Sequence, residues 1–304
     1  MILITGADGF IGKSLSSYLI KKNYNVIKGV RKIKNLDNTI QIDIGKKEDI
    51  KNSLNKIDTI IHLAGLNREQ CNRNEKEAII INSFGARDLL KEAIKKKTKT
   101  FILFSTIHVY GNELSGEINE DDATLPYDNY SKSNLMAEQY CMELAKNSST
   151  KLVILRVSNV IGLSRIKKNS YWSLVANDFC QQAIKNKQIN INNNGMDRRD
   201  FISINSIENI VESIITKNEE IKSDIYNVAS GQTISIKNLA NIVKEEYFKL
   251  FNSSIKINLG NKKSNNLNFK FNVDKIKKSK LDFVSYDIRN NIKEILIFCN
   301  ALAK

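Results

Sequence analysis

The sequence predicts an α/β protein: a doubly wound parallel sheet followed by a smaller C-terminal α/β lobe. Short apolar runs alternate with segments of helical spacing through the first half. A glycine-rich turn, Gly6-Ala7-Asp8-Gly9-Phe10-Ile11-Gly12, follows the first of those runs directly. The second half keeps helices and strands but loses the strict alternation. Strand, helix, strand in this rhythm builds a parallel sheet, because each helix carries the chain back for the next strand.

Residues 2–5, 25–30, 39–43, 59–63, 100–105 and 151–156 read as strands. Between them, Ile11, Leu15 and Leu19 recur every four residues. Leu89, Leu90 and Ala93 share one helical face, as do Met136, Ala137, Tyr140 and Leu144. Later, residues 173–185 read as a helix, 192–195 as a polar loop and 201–204 as a strand. Residues 207–215 and 235–247 read as further helices. The boundaries are soft, since Pro126 is the only proline. The tail from Asn252 is rich in Lys and Asn, but Leu281, Phe283, Ile292 and Ile295 predict that it is ordered. The expected division is 1–163 with about 198–230 for the first domain. The second lobe takes about 164–197 and 231–304.

Composition narrows the class. A 304-residue chain with 41% hydrophobic residues can bury a large core. No run approaches the roughly 18–20 apolar residues needed to span a bilayer. The first residues already read as a strand with no charged leader, so a cytoplasmic location without membrane insertion is expected. Cys71, Cys141, Cys180 and Cys299 are scattered with no C-x-x-C pair, which predicts reduced, packed thiols rather than a disulfide framework or zinc site. His62 and His108 lie in apolar runs without metal-ligand partners at helical spacing, so no metal is expected. The net charge of +14 raises nucleic acid as a partner. The basic residues are instead spread through stretches such as 185–194 and 256–280, with no arginine stripe interleaved with aromatics. Nucleic acid is therefore not expected, whereas an anionic substrate suits such a surface.

The glycine turn is the strongest chemical signal. It follows a strand, opens a helix and begins a βαβ unit, the context that makes G-x-x-G-x-x-G specific for a Rossmann dinucleotide site. Glycines let the backbone turn tightly and approach a pyrophosphate, and the positive helix end binds the anion. NAD or NADP is the expected cofactor. An acid at the end of the second strand would bind a ribose 2′-hydroxyl; here Val30, Arg31 and Lys32 follow instead. Arg31 can clamp a 2′-phosphate, which favours NADP slightly.

These segments together resemble the extended short-chain dehydrogenase/reductase family, in its nucleotide-sugar epimerase/dehydratase branch, over nearly the whole chain. Residues 4–12 resemble its cofactor turn, Asp43-Ile44 its adenine-side pair, and His62-Leu63-Ala64-Gly65 its cofactor-lining segment. Asn82-Ser83-Phe84-Gly85 resembles the next contact. Residues 104–111 resemble the strand carrying the catalytic hydroxyl, with 156–162, Arg199-Asp200-Phe201-Ile202 and 226–231 matching later segments. The resemblance implies cofactor contacts from Gly6, Asp8, Gly9, Phe10, Ile11, Gly12, Asp43, Ile44, Leu63, Ala64, Gly65 and Asn82. It implies catalysis by Thr106 and Tyr130, and substrate contacts from Ser105, Asn159 and Arg199, the last at a diphosphate. The implied substrate is a nucleoside-diphosphate sugar, epimerised or reduced at a ring carbon in making surface-polysaccharide sugars. A homodimer through residues 86–94 and 135–144 is also implied.

One departure bears on the chemistry. The family has lysine four residues after the tyrosine, and this chain has Asn134. Residues four apart share a helix face and residues two apart do not, so Lys132 cannot replace it. Asn134 can bond a ribose hydroxyl but adds no charge, leaving Tyr130 a better proton donor than base. The same departure leaves a second reading open: a catalytically weak NAD(P)-binding regulator or scaffold. The 4,6-dehydratases carry an Asp-Glu pair after the threonine. Ile107 and His108 stand there, so dehydration is not expected, and His108 is expected as a strand residue whose ring is held by bonding.

Overall fold

The computed structural model describes residues 1–33, 37–163, 172, 174–264, 267–283 and 287–303. Its centre is a seven-stranded sheet of β1 (Ile2–Thr5), β2 (Val26–Val30), β3 (Thr39–Gln41), β4 (Thr59–His62), β5 (Thr100–Thr106), β6 (Lys151–Val157) and β7 (Asp224–Val228). The order is β7-β6-β5-β4-β1-β2-β3, with every pair parallel. The chain winds outward from β1 to β3, then crosses back to β4 on the other side of β1. That reversal opens a crevice at the strands' C-terminal ends, where open α/β sheets bind ligands. The predicted doubly wound sheet is therefore what forms.

Neighbouring strand residues feed opposite layers, as the period of two demands. Leu3, Ile60, Phe101, Leu103 and Ile154 pack on one side against Ile50, Leu89, Leu90 and Ala137. These come from helices Lys47–Ser53, Gly85–Lys95 and Asn129–Ala145. Ile4, Ile61, Ile102, Val153 and Leu155 pack on the other side against Leu15, Leu19, Ile207, Ile210 and Ile214. Those come from helices Phe10–Lys21 and Ile204–Thr216.

A second core lies C-terminal to the sheet. Phe179, Ile189, Leu239, Val243, Tyr247, Ile292 and Leu296 gather there from helices Val175–Asn186, Ile236–Phe251 and Ile288–Leu302 and strand Gln188–Asn193. This strand pairs in parallel with Lys256–Lys262, so the loop expected at residues 192–195 begins inside a strand. Its Ile189 and Ile191 are buried between exposed Asn190 and Asn192. The predicted helix from residue 173 is observed from Val175, and Ser173 itself lies outside the described residues, as do 164–171 at the expected lobe boundary. Residues 269–281, expected in the second lobe, place Phe271, Val273, Ile276 and Leu281 in the sheet's core. Strand Phe269–Phe271 brings them there by pairing with Gly116–Ile118. No described helix is long and apolar enough to cross a membrane. All four cysteines are buried and unpaired.

Candidate active site

A cavity of about 450 Å³ opens at the crevice, walled by the ends of β1, β4, β5 and β6. The glycine turn forms its floor. Gly6 adopts φ +66°, and a Cβ there would lie 2.8 Å from the Ala64 backbone nitrogen. At Gly12 a Cβ would lie 2.2 Å from the Gly6 carbonyl oxygen and 2.8 Å from Ala7 Cα. Both obstacles are backbone, so neither can step aside. Gly9 then caps helix Phe10–Lys21 without a side-chain hydrogen bond, leaving the positive helix end facing the cavity. These features fit a dinucleotide pyrophosphate. Gly12→Ala is expected to cost about 1–3 kcal/mol of stability by overpacking and to weaken binding of added NAD(P). Thermal midpoint and cofactor titration check both, and unchanged affinity would contradict the close approach.

The wall after β4 is held by Thr5. Its hydroxyl accepts from the Leu63 and Ala64 amides at 3.3 Å each, leaving its proton for His62 Nδ1 at 2.8 Å. Burial keeps His62 neutral, with its pKa lowered to about 4. Beyond it, Asn82 Oδ1 accepts from Leu66 N at 2.7 Å. Asn82 Nδ2 donates to Leu66 O at 3.3 Å and to Ser133 Oγ at 3.2 Å. Asn82 lies in a π-helical turn, Ile79–Phe84, whose next residue, Ser83, donates to Ser133 O at 2.7 Å. Such insertions often re-aim side chains at functional sites. Here both residues grip the helix carrying Tyr130.

Of the expected cofactor residues, Gly6, Gly9, Phe10, Ile11, Gly12, Leu63, Ala64, Gly65 and Asn82 line the cavity. Asp8, Arg31, Asp43 and Ile44 do not. Asp8 and Arg31 are exposed, Arg31 directly after β2. Asp43 Oδ1 accepts from Gly45 N at 3.0 Å, and buried Ile44 packs against Gly85.

Thr106, Tyr130 and Asn134 also line the cavity, with the Tyr130 ring packed against Leu66 and Cys71. Thr106 ends β5, and its Oγ1 accepts from His108 N at 3.3 Å. Tyr130 lies in the first turn of helix Asn129–Ala145, which Asp128 caps by accepting from Ser131 N. Tyr130 opens to the cavity on one side and meets protein elsewhere. Burial raises its pKa, while the Thr106 side chain and the Arg68 charge pull it partly back. Asn134 Nδ2 donates to Tyr130 O at 2.8 Å, and Lys132 faces solvent, as its helix position predicts. His108 corrects an expectation. It lies in a 3₁₀ turn, Ile107–Tyr110, rather than a strand, with its ring 6.5 Å from that of Tyr130. No hydrogen bond to that ring occurs among the described residues. The strand ends at Thr106 because the Thr106 hydroxyl caps the turn. Burial first, then Arg68 and Arg199, lower the His108 pKa to about 3.

Of the expected substrate residues, Ser105 lines the wall, but its hydroxyl donates to Glu138. Asn159 also lines it, and its Nδ2 donates to Asp200 O at 2.8 Å. Arg199 lies outside the wall, solvent-accessible yet densely surrounded. Those surroundings and Arg68 lower its pKa. Buried Asp200 beside it ties three segments together, accepting from Ser158 Oγ, Ser230 N, Ser230 Oγ and Gln232 N. Arg68 was not singled out from the sequence. A basic residue three positions past Gly65, behind the helix-opening pair Asn67 and Gln70, was the available signal. No Asp or Glu lines the cavity among the described residues.

Comparison with known proteins agrees with this architecture. The model of the NAD dependent epimerase/dehydratase family matches residues 2–229. A UDP-glucose 4-epimerase of Vibrio cholerae is 29% identical over 247 residues, covering 77% of this chain and 72% of that protein. A dTDP-D-glucose 4,6-dehydratase of Dictyostelium discoideum is also 29% identical, over 272 residues. That alignment covers 77% of this chain but only 59% of that protein. The structure of a UDP-glucuronic acid 4-epimerase from Bacillus cereus, in complex with UDP-glucuronic acid and NAD, superposes with a TM-score of 0.83. It is 22% identical and covers 99% of both chains, which speaks to fold. The chain belongs to the NAD dependent epimerase/dehydratase family, a branch of the extended short-chain dehydrogenases/reductases.

Proposed function

We propose that this protein is an NAD(P)-dependent oxidoreductase of nucleoside-diphosphate sugars, an epimerase or 4-ketoreductase serving surface-polysaccharide sugar synthesis. The observation that carries it is that Thr106 and Tyr130 line the same cavity as Gly6, Gly9 and Gly12. The bound nicotinamide supplies the hydride donor or acceptor. Gly6, Gly9 and Gly12 admit its pyrophosphate to the helix end, and residues 63–65 form its side wall. Arg31, exposed directly after β2, is the residue assigned to a 2′-phosphate in this reading, which favours NADP. Thr106 orients the reacting sugar oxygen. Tyr130 gives that oxygen a proton as the ring carbon takes up hydride.

Two features favour the reducing direction. Tyr130 holds its proton more tightly than a free phenol, and Asn134 brings no charge to loosen it. Dehydration is disfavoured, because Ile107 is buried, His108 is neutral and no carboxylate lines the cavity among the described residues. The experiment is mass spectrometry of nucleotides released on acid denaturation, followed by assays with 4-keto and 4-hydroxy sugar nucleotides. Near-stoichiometric retained cofactor with interconversion of C4 epimers is the epimerase outcome. An empty protein that oxidises NADPH faster than NADH with a keto sugar is the reductase outcome. Tight cofactor binding with no turnover would sink the enzyme reading and leave a binding module.

A further inference from the structure

The cavity contains a cation that the proposed chemistry has not used. Among the described residues lining it, Arg68 alone carries positive charge. Its guanidinium carbon lies 5.6 Å from the Tyr130 ring centroid and 5.5 Å from that of Tyr127. Its Nε is 2.8 Å from Asp128 Oδ2 but out of line for a hydrogen bond. Both Nε and Nη2 are buried without a hydrogen-bond partner. A guanidinium remains charged throughout the working pH range and packs readily on aromatic faces.

The local sequence explains the placement. Asn67 opens helix Arg68–Arg73 through a reciprocal cap with Gln70, which puts Arg68 in the first helical turn. Asp128 caps the Tyr130 helix. The Arg68–Asp128 pair therefore ties together the starts of two helices, the second of which carries Tyr130.

We propose that Arg68 is the positioning cation for Tyr130, supplying across the ring the positive charge that residue 134 lacks. The inference rests on the reading of Tyr130 as the proton-handling group. When Tyr130 releases its proton, the negative charge left on the phenolate is met by Arg68. The other groups around Tyr130 cannot fill this role. His108 is neutral, Cys71 is a neutral buried thiol, and Asp128 carries the opposing sign. Lys132 faces solvent, and Arg199 lies outside the cavity wall.

The test is a titration of the full chain with 3-fluorotyrosine at position 130, read by fluorine NMR. The fluorinated phenol is more acidic, so it ionises where the protein remains folded. Arg68→Met is expected to raise the midpoint by about one pH unit, since an opposite charge within roughly 4–6 Å shifts a group by about 1–3 units and Asp128 offsets part of this. Asp128→Asn keeps the cap and should lower the midpoint, which preserves the test if Arg68→Met folds poorly. Adding Asn134→Lys to Arg68→Met should restore it. Equal midpoints in wild type and Arg68→Met, or no recovery with Asn134→Lys, overturn the proposal. So does a rise in KM alone at an unchanged midpoint, which would make Arg68 a substrate ligand. The titration needs no substrate, so its failure is distinguishable from failure of the functional reading, which Tyr130→Phe activity decides.

Discussion

Tyr130→Phe is expected to lower kcat by about 10²–10⁴-fold, the usual worth of a positioned proton donor, with cofactor affinity and thermal midpoint nearly unchanged. The ring still packs beneath Arg68 and beside Leu66 and Cys71, so only the hydroxyl is lost. Steady-state kinetics and calorimetry together check this. The pH dependence of the wild-type enzyme should carry the same signature. Keto-sugar reduction needs protonated Tyr130, whose pKa lies above its ordinary value, so the rate should stay level between pH 5 and 8. Alcohol oxidation needs the phenolate and should climb across that range. Neither histidine should add an inflection there, because their pKa values are lowered to about 4 and about 3. An oxidation profile that levels near pH 6 would contradict this account of Tyr130.

Arg156→Met is expected to be the most damaging change away from the cavity, costing about 3–5 kcal/mol. Arg156 spans β6 and the Tyr130 helix, donating to fully buried Glu138 from Nε and Nη2, the latter at 2.8 Å. Its Nη1 donates to Tyr110 Oη at 2.8 Å and Glu120 O at 2.9 Å. Burial alone would lower the Arg156 pKa, but Glu138 raises it on balance. Without the guanidinium, Glu138 keeps the Ser105 hydroxyl but has no counter-ion at that site. For a chain of this size the loss is about 5–8 degrees of melting temperature. The double variant Arg156→Met, Glu138→Leu should recover most of it, because a buried pair replaced by apolar groups is often neutral while a broken pair is not. Calorimetry of the three proteins decides. A single variant as stable as wild type would mean that water reaches Glu138.

The parts of the fold visible in the sequence are those where local pattern and tertiary role coincide. Buried parallel strands such as Thr59–His62 and Thr100–Thr106 read as apolar runs because both faces are covered. The glycine turn is legible because the obstacles at Gly6 and Gly12 are local backbone or the adjacent strand end. Strand Gln188–Asn193 was obscured by its asparagines, although alternate isoleucines carried the period of two. In the candidate site, Thr106 and Tyr130, expected from the sequence, line one cavity. Arg68 was not, because only the fold brings its helix against Tyr130. Ser105 and Asn82 show the remaining limit. Residue type tells what a side chain can bond, whereas its partners, Glu138 and Ser133, come from distant segments.

The bonds made by Asn82 bear on how this scaffold can be re-engineered. One amide holds both the segment after β4 and the helix that presents Tyr130. A loop 63–67 transplanted alone from another member would arrive without its fastener. Any swap that alters residues 63–67 must carry residues 66, 82 and 133 as one cassette, or Tyr130 shifts along with the loop.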